Sequence, residues 1–360
     1  MIQMMRGDIG TGKVKEGYLK YSRGKLLFLA IAVLALAALS MVTIRLGATD
    51  LTYSEIMKYL FSPDDSWNTT VVWDLRLRLI VAAIITGMAL GLAGAVMQTI
   101  LRNPLASPFT LGLSNASAFG ASLAILFMEG GVIVGQASAY VDVNSPFLVT
   151  AMAFLFAMLA TGVMLLLVRV TECTPESIVL AGMAISAIFS AGLAFLQYIA
   201  NDVALSAIVY WQFGNLSKIT WDQACIIAVV LAAAALYFFY KRWDYNAMES
   251  GEEVARGLGT DIRITRFVGL TVSALLTATV VSFVGVIGFI GLVGPHIVKR
   301  IIGNDNRYVI PGSMAVGAIV MLLSYIVGSF AFETVVPVGI ITSAIGGPLF
   351  IAILLRRYRR

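Results

Sequence analysis

Charge-free apolar runs alternate with short polar segments along nearly the whole chain. The runs are Leu26–Ile44, Leu79–Leu101, Ala106–Met128, Val143–Val168, Ser177–Asn201, Gln223–Tyr240, Phe267–Val298, Tyr308–Phe332 and Thr334–Leu355. Most reach the ~20 residues that a helix needs to cross a bilayer core of about 30 Å. The run from Phe267 to Val298 is too long for one crossing. It contains GVIGFIGLVGP, with Gly285, Gly288, Gly291 and Gly294 ahead of Pro295. Each glycine costs a helix roughly 1 kcal/mol relative to alanine. The pattern therefore predicts a break near Ile287 and a short helix through His296 toward Ile302. Ten crossings result, at residues 26–46, 77–101, 106–128, 145–168, 176–200, 222–240, 264–287, 289–302, 308–330 and 336–355.

Charge orients this pattern. An even number of crossings puts both termini on one side. With that side cytoplasmic, the inner segments hold 20 of the 25 Lys and Arg residues, which is the bias of the positive-inside rule. Only Arg45, Lys58, Arg76, Arg78 and Lys218 fall outside. The net charge of +5 is thus an orientation signal and does not indicate a nucleic-acid partner. Residues 1–25 read as a basic cytoplasmic tail and 26–357 as one transmembrane domain in a cytoplasmic membrane, in contact with lipid. The first run ends without a small-residue cleavage site, so no cleavable signal peptide is expected.

Composition agrees: 59% of residues are hydrophobic and 12% charged, against roughly 25% charged in soluble domains. Cys173 and Cys225 lie in different segments and give no disulfide framework. The single histidine, His296, reads as a packing or capping residue of a half-helix, and one histidine leaves little metal-site chemistry.

Three polar segments are long enough to carry their own structure. LTYSEIMKYLF, within the outer loop 47–74, predicts a short surface helix. Residues 201–221, NDVALSAIVYWQFGNLSKITW, hold an apolar stretch too short to cross, and Trp211, Phe213 and Trp221 suit the interfacial belt. The inner segment KRWDYNAMESGEEVARGLGTDIRITR, with its core at 241–263, is the largest polar stretch between crossings and a candidate docking element.

Candidate chemistry is sparse. GDIGTGKV, Gly7–Val14, nearly matches a phosphate loop, but Val14 replaces the metal-binding hydroxyl and six residues are too few for the preceding strand. All 20 Asp and Glu residues lie outside the charge-free runs. A proton- or ion-coupled carrier usually has desolvated acids within its spans, so energy is expected from elsewhere. The chain lacks HExxH, a pair of intramembrane acids and a histidine placed to activate a serine, which disfavours an intramembrane enzyme. Gly87, Gly91 and Gly94 form a groove for close helix approach. Gln98 in the same span, and Gly182, Ser186, Ser190, Gly192 and Gln197 in the fifth, suit either packing or a wet pathway.

TGMALGLAGAVMQTILRNPLASPFTLGLSNASAFGA (Thr86–Ala121), GFIGLVGPHIVKRIIGNDNRYVIPGS (Gly288–Ser313) and PVGIITSAIGGPLFIAILLRR (Pro337–Arg357) closely resemble, in the same order, the FecCD/BtuC-type permeases of type II ABC importers. The resemblance implies an all-α integral membrane protein of ten transmembrane helices, with inverted repeats of spans two to five and seven to ten. It implies a homodimer with the pathway on its two-fold axis, two ATP-hydrolysing ABC subunits below and an extracytoplasmic substrate-binding protein above. ATP and Mg would sit on the partner ATPase, with no cofactor or metal held by this chain.

Residue by residue, Gly251, Glu252, Ala255, Arg256, Leu258 and Gly259 match the family's cytoplasmic coupling helices. Asn103 and Leu105 match its inner constriction, and Thr174, Glu176 and Ser177 the neighbouring part of that gate. Arg76 matches the first arginine of an outer R-L-P-R motif that meets the binding protein. Here the sequence reads RLRL, so Arg78 would substitute for the second arginine. The expected cargo is a metal chelate, iron-siderophore first, with cobalamin, haem or molybdate as alternatives. A stand-alone secondary carrier or a non-transporting membrane scaffold are the competing classes.

Overall fold

The computed structural model describes residues 11–128, 132–134, 141–143, 145–170 and 174–358. The helices in chain order are α1 (Thr11–Arg45), α2 (Tyr53–Phe61), α3 (Trp67–Thr70), α4 (Arg78–Ile100), α5 (Leu113–Phe127), α6 (Pro146–Val170), α7 (Pro175–Ile199) and α8 (Asp202–Gln212). They continue as α9 (Trp221–Tyr240), α10 (Arg242–Ser250), α11 (Glu252–Gly257), α12 (Ile262–Val284), α13 (Ile290–Ile302), α14 (Asn306–Phe330) and α15 (Val338–Tyr358). A π-helical turn, Val71–Leu77, joins α3 to α4 without a break. Between α5 and α6, β1 (Val132–Val134) and β2 (Val141–Val143) pair antiparallel with Val132 opposite Val143.

Among the described residues, seven segments are long and apolar enough to cross a membrane: those of α1, α3–α4, α6, α7, α9, α12 and α14. The described apolar stretches of α5 and α15 are shorter, and α13 has 13 residues. At 1.5 Å per residue, α13 spans only about 20 Å.

Local sequence explains the boundaries. Thr52 and Thr220 each build a capping box, with Glu55 and Gln223, ahead of α2 and α9. Asn201, Asp261 and Asp305 cap α8, α12 and α14 through their side chains. The surface helix expected within 47–74 and the helix expected within 201–221 are present as α2 and α8. The break expected near Ile287 is also present, where Phe289 takes a left-handed conformation (φ 67°) immediately before α13.

Three expectations are corrected. Residues 11–25, read as a tail, are helical and continuous with the first crossing. Thr11–Val14 therefore belong to a helix rather than a phosphate loop, while Gly7–Gly10 lie outside the described residues. The third apolar helix starts at Leu113 rather than near 106, because Pro104 and Pro108 punctuate the approach and leave only a 3₁₀ turn at Pro108–Leu111. The β1–β2 hairpin was not foreseen in a chain read as all-α; its three-residue strands are too short to give an alternating signal.

The core centres on α4, which packs against α9, α12, α13 and α14. The α4 glycines permit this. A Cβ at Gly87, Gly91 or Gly94 would collide with the backbone carbonyl of Gly317, Ser313 or Gly291. These small residues let dispersion contacts between backbones replace the hydrophobic driving force that lipid does not supply. By contrast α1, α7 and α9 leave large apolar side chains exposed, including Leu34, Ile188 and Leu236. Lys25, within α1, lies 3.8 Å from Asp305, and Arg76 bonds carbonyls at the C-terminal end of α1. The end that carries Lys25, the C-terminus of α4, α10 and α11 is termed the basic end.

Candidate functional site

A cavity of about 480 Å³ opens near the basic end, where the loop after α4 meets the flank of α7. Asn103, Leu105, Ala106 and Phe109 line it from the loop, Asn115 from α5, and Val179, Met183, Ser186, Ala187 and Ser190 from α7. The size falls in the ordinary range of small-molecule sites. Two groups read separately in the sequence thus converge on one cavity: Asn103 and Leu105, expected at a gate, and Ser186 and Ser190, expected to suit packing or a pathway. Asn115 was missed. Its Nδ2 donates to Ser186 Oγ at 2.7 Å and to the Ser186 carbonyl at 3.2 Å, tying α5 to α7. A polar residue inside the charge-free run 106–128 was the available signal.

The loop owes its shape to the end of α4. The Asn103 amide donates to the Gln98 carbonyl at 3.1 Å and the Arg102 amide to Thr99 at 3.1 Å, with Arg102 left-handed at φ 46°. This is a Schellman closure. Asn103 Oδ1 then accepts from the Leu105 amide at 2.9 Å, which sets the turn that presents Leu105.

Other assigned residues lie elsewhere. Thr174 caps α7 by accepting from the Ser177 amide, Ser177 Oγ donates back to the Thr174 carbonyl, and Glu176 is in the first turn. They sit beside Val179 on the chain but do not line the cavity. Gln197 is half-buried farther along α7, also outside it. Of the two roles open to Gln98, the geometry favours packing: it is buried, and its Nε2 donates to the Leu292 carbonyl of α13 at 3.3 Å.

At the basic end, α10 and α11 form an elbow. Gly251 separates them at φ 127°, and Gly259 closes α11 at φ 83°, both in the region that disfavours side chains. The Thr260 amide bonds the Ala255 carbonyl and the Gly259 amide bonds Arg256, a second Schellman closure. Ala255 is buried, while Val254, Leu258 and Arg256 are exposed. The first arm, α10, is anchored by Asn246. Its Oδ1 accepts from the Asn306 amide at 2.7 Å and its Nδ2 donates to Asp305 at 3.0 Å. Burial pushes the Asp305 carboxyl up, but hydrogen bonds from Arg307 and Asn246 outweigh it and hold it below the usual range. On α11, Glu252 accepts from Arg266 Nη2 at 2.8 Å, which depresses its pKa against a smaller desolvation effect.

At the opposite end lie Arg76 and Arg78, the residues expected to meet a binding protein. Arg76 is 4% exposed. The π-helical turn aims it inward, where it donates to the Ile44 carbonyl at 2.9 Å and to that of Thr49. It satisfies carbonyls left open at the end of α1. Arg78 is half-buried and donates to the Asp74 carbonyl at 2.9 Å and to that of Ile219. Both guanidiniums donate to main-chain carbonyls.

Among the described residues no group of three His, Cys, Asp or Glu side chains could hold a metal ion. Among the same residues, the buried charged side chains are Lys25, Arg76 and Arg266.

Comparison with known proteins gives the following. The model of the FecCD transport family matches residues 33–356. A protein of Methanocaldococcus jannaschii named as an ABC transporter permease is 42% identical over 96% of this chain and 99% of its own. The Fe(3+)-citrate import system permease protein YfmE of Bacillus subtilis is 32% identical over 95% of this chain and 98% of its own. A solved structure described as a metal-chelate type ABC transporter in an inward-facing conformation superimposes with a TM-score of 0.78. It is 27% identical and covers 91% of this chain and 98% of the other.

Proposed function

Because the chain belongs to the FecCD transport family, we propose that it is the membrane permease of an ATP-driven importer that carries a metal chelate inward, iron-siderophore first. Cobalamin, haem and molybdate are the alternative cargoes. The observation that carries this reading is the cavity where the Asn103–Leu105 loop meets Ser186 and Ser190. Its walls are mostly apolar, interrupted by the neutral polar side chains of Asn103, Asn115, Ser186 and Ser190, and carry no charge. Such a passage lets a bulky ligand through without trapping it, so selectivity falls to a separate binding protein.

In this reading the chain crosses ten times with α5, α13 and α15 as the shorter crossings. Both termini are cytoplasmic and the basic end faces the cytoplasm. Two copies pair around the pathway, which accounts for the exposed apolar flank of α7 at Met183 and Ile188. ATP and Mg reside on two separate ATPase subunits. These dock on α11, whose exposed Val254 and Leu258 offer an apolar contact beside Arg256. Nucleotide-driven movement there tilts helices and opens one end of the pathway while closing the other.

Reconstitution into liposomes tests this. Uptake of a radio-iron-labelled siderophore is expected only with the ATPase, the binding protein and ATP together; uptake by the chain alone refutes it. Arg256→Glu is expected to reduce uptake about ten-fold, as for loss of a coupling energy of ~1.4 kcal/mol. Unchanged uptake removes α11 as the coupling element.

A further inference from the structure

Arg266 holds two elements that the sequence separates widely. It lies on α12 with its side chain 4% exposed. Its Nε donates at 3.1 Å to the Ile100 carbonyl, 166 residues away, and its Nη2 donates at 2.8 Å to Glu252 on α11. Ile100 is the last residue of α4, and the Schellman closure uses the carbonyls of Gln98 and Thr99. The Ile100 carbonyl is one of the terminal acceptors that an α-helix cannot satisfy itself. Arg266 supplies its donor and so fixes the point where the loop to Leu105 begins.

The two arms of the elbow are held differently. Asn246 ties α10 to the start of α14, and Asn304 Nδ2 bonds Glu249 at 2.7 Å. Gly251 stands in open space, where an added Cβ would meet nothing within 4 Å. Beyond it, α11 is held by the burial of Ala255 and by Glu252. Glu252 is 35% exposed, so its end of the link meets solvent while the Arg266 end is enclosed. A displacement of α11 about Gly251 is thus felt directly by the Arg266 guanidinium. The other arm of that planar group is bonded to the end of α4, five residues before Leu105.

We infer that Arg266 is the positioning residue that transmits movement of α11 to the Asn103–Leu105 loop, through Glu252 on one arm and the Ile100 carbonyl on the other. The inference rests on the reading of α11 as the ATPase-docking element. A planar fork serves both partners at fixed angles; a lysine ammonium is a point charge without that fork. Arg266→Lys therefore keeps the charge and loses the geometry.

The test uses the full complex in liposomes and reads chelate transported per ATP hydrolysed, with melting temperature and co-purification of the ATPase. Arg266→Lys and Glu252→Gln are each expected to lower transport per ATP about five-fold or more, while the complex still assembles. An unchanged ratio in both variants overturns the inference and leaves the proposed function standing. If Arg266→Lys fails to assemble, Glu252→Gln decides, because it keeps Arg266 and its bond to α4. A lowered ratio then supports the link and an unchanged ratio overturns it. Failure of both to assemble assigns Arg266 to folding alone and also overturns it. A separate cross-linking control tests the underlying reading: Val254→Cys in an otherwise unchanged chain is expected to cross-link to the ATPase, and its failure to do so removes both.

Discussion

Arg76 and Arg266 sit at opposite ends of the molecule and perform the same local chemistry, each capping the last carbonyls of a helix with a buried guanidinium. Arg76 caps α1 and Arg266 caps α4. Their remaining partners differ. Arg76 spends its other donors on main-chain acceptors near the start of the outer loop, including Thr49. Arg266 reaches a carboxylate on a short helix beyond a glycine hinge. The first arrangement joins parts of one rigid unit. The second joins a rigid unit to an element that can move. One capping rule therefore yields a staple at one end and a link at the other, and the partner decides which.

The largest expected effect comes from breaking the staple. Arg76→Ala leaves the part-buried Ile44 and Thr49 carbonyls without their donor, at about 1–1.5 kcal/mol for each bond. The detergent-solubilised protein should melt at a clearly lower temperature; an unchanged melting curve would erase the contrast between the ends. Next is Gly259→Ala, which forces a side chain into the left-handed region at roughly 1–2 kcal/mol. Its cost should appear as weaker ATPase co-purification with little change in melting, since α11 places only Ala255 in the central core. Arg78→Ala follows at about 1 kcal/mol, because its site is half-open and water can replace the lost donor.

The smallest effect is a pH dependence that sharpens the link. The folded-state pKa of Glu252 lies below its ordinary 4.5, so its pairing stabilises the structure fully above that value. The contribution is lost as pH falls through the lower, folded value. Melting temperatures of wild type and Glu252→Gln should differ by a constant amount above about pH 5 and converge as pH falls from there through the folded-state value. A constant gap down to pH 3 would mean that Glu252 ionisation contributes nothing to the pair.

Much of this architecture was legible beforehand because lipid imposes a simple rule. Apolar runs must be long, and their backbones must be helical. The break before α13 and the packing role of Gly87, Gly91 and Gly94 followed from residue type. So did Asn103 and Leu105 at the cavity, through the RNPLASP motif. The gaps share a cause. The capping contacts of Arg76 were not legible, because a π-helical turn rotates it inward and no residue type encodes that rotation. Gln98, polar in a span, suited either packing or a pathway; only the position of α13 reveals that it faces a carbonyl. Asn115 was overlooked because a search for charge passes over a neutral amide.

Sequence alone determined that the chain is a multi-pass helical membrane protein, where its helices break and which end is basic. Each of these depends on moving side chains individually between water and lipid, a sum that can be read one segment at a time. Tertiary structure decided what each buried guanidinium holds. The carbonyls that Arg76 and Arg266 satisfy lie 32 and 166 residues away, and where those helices end in space is fixed only when all of them have packed.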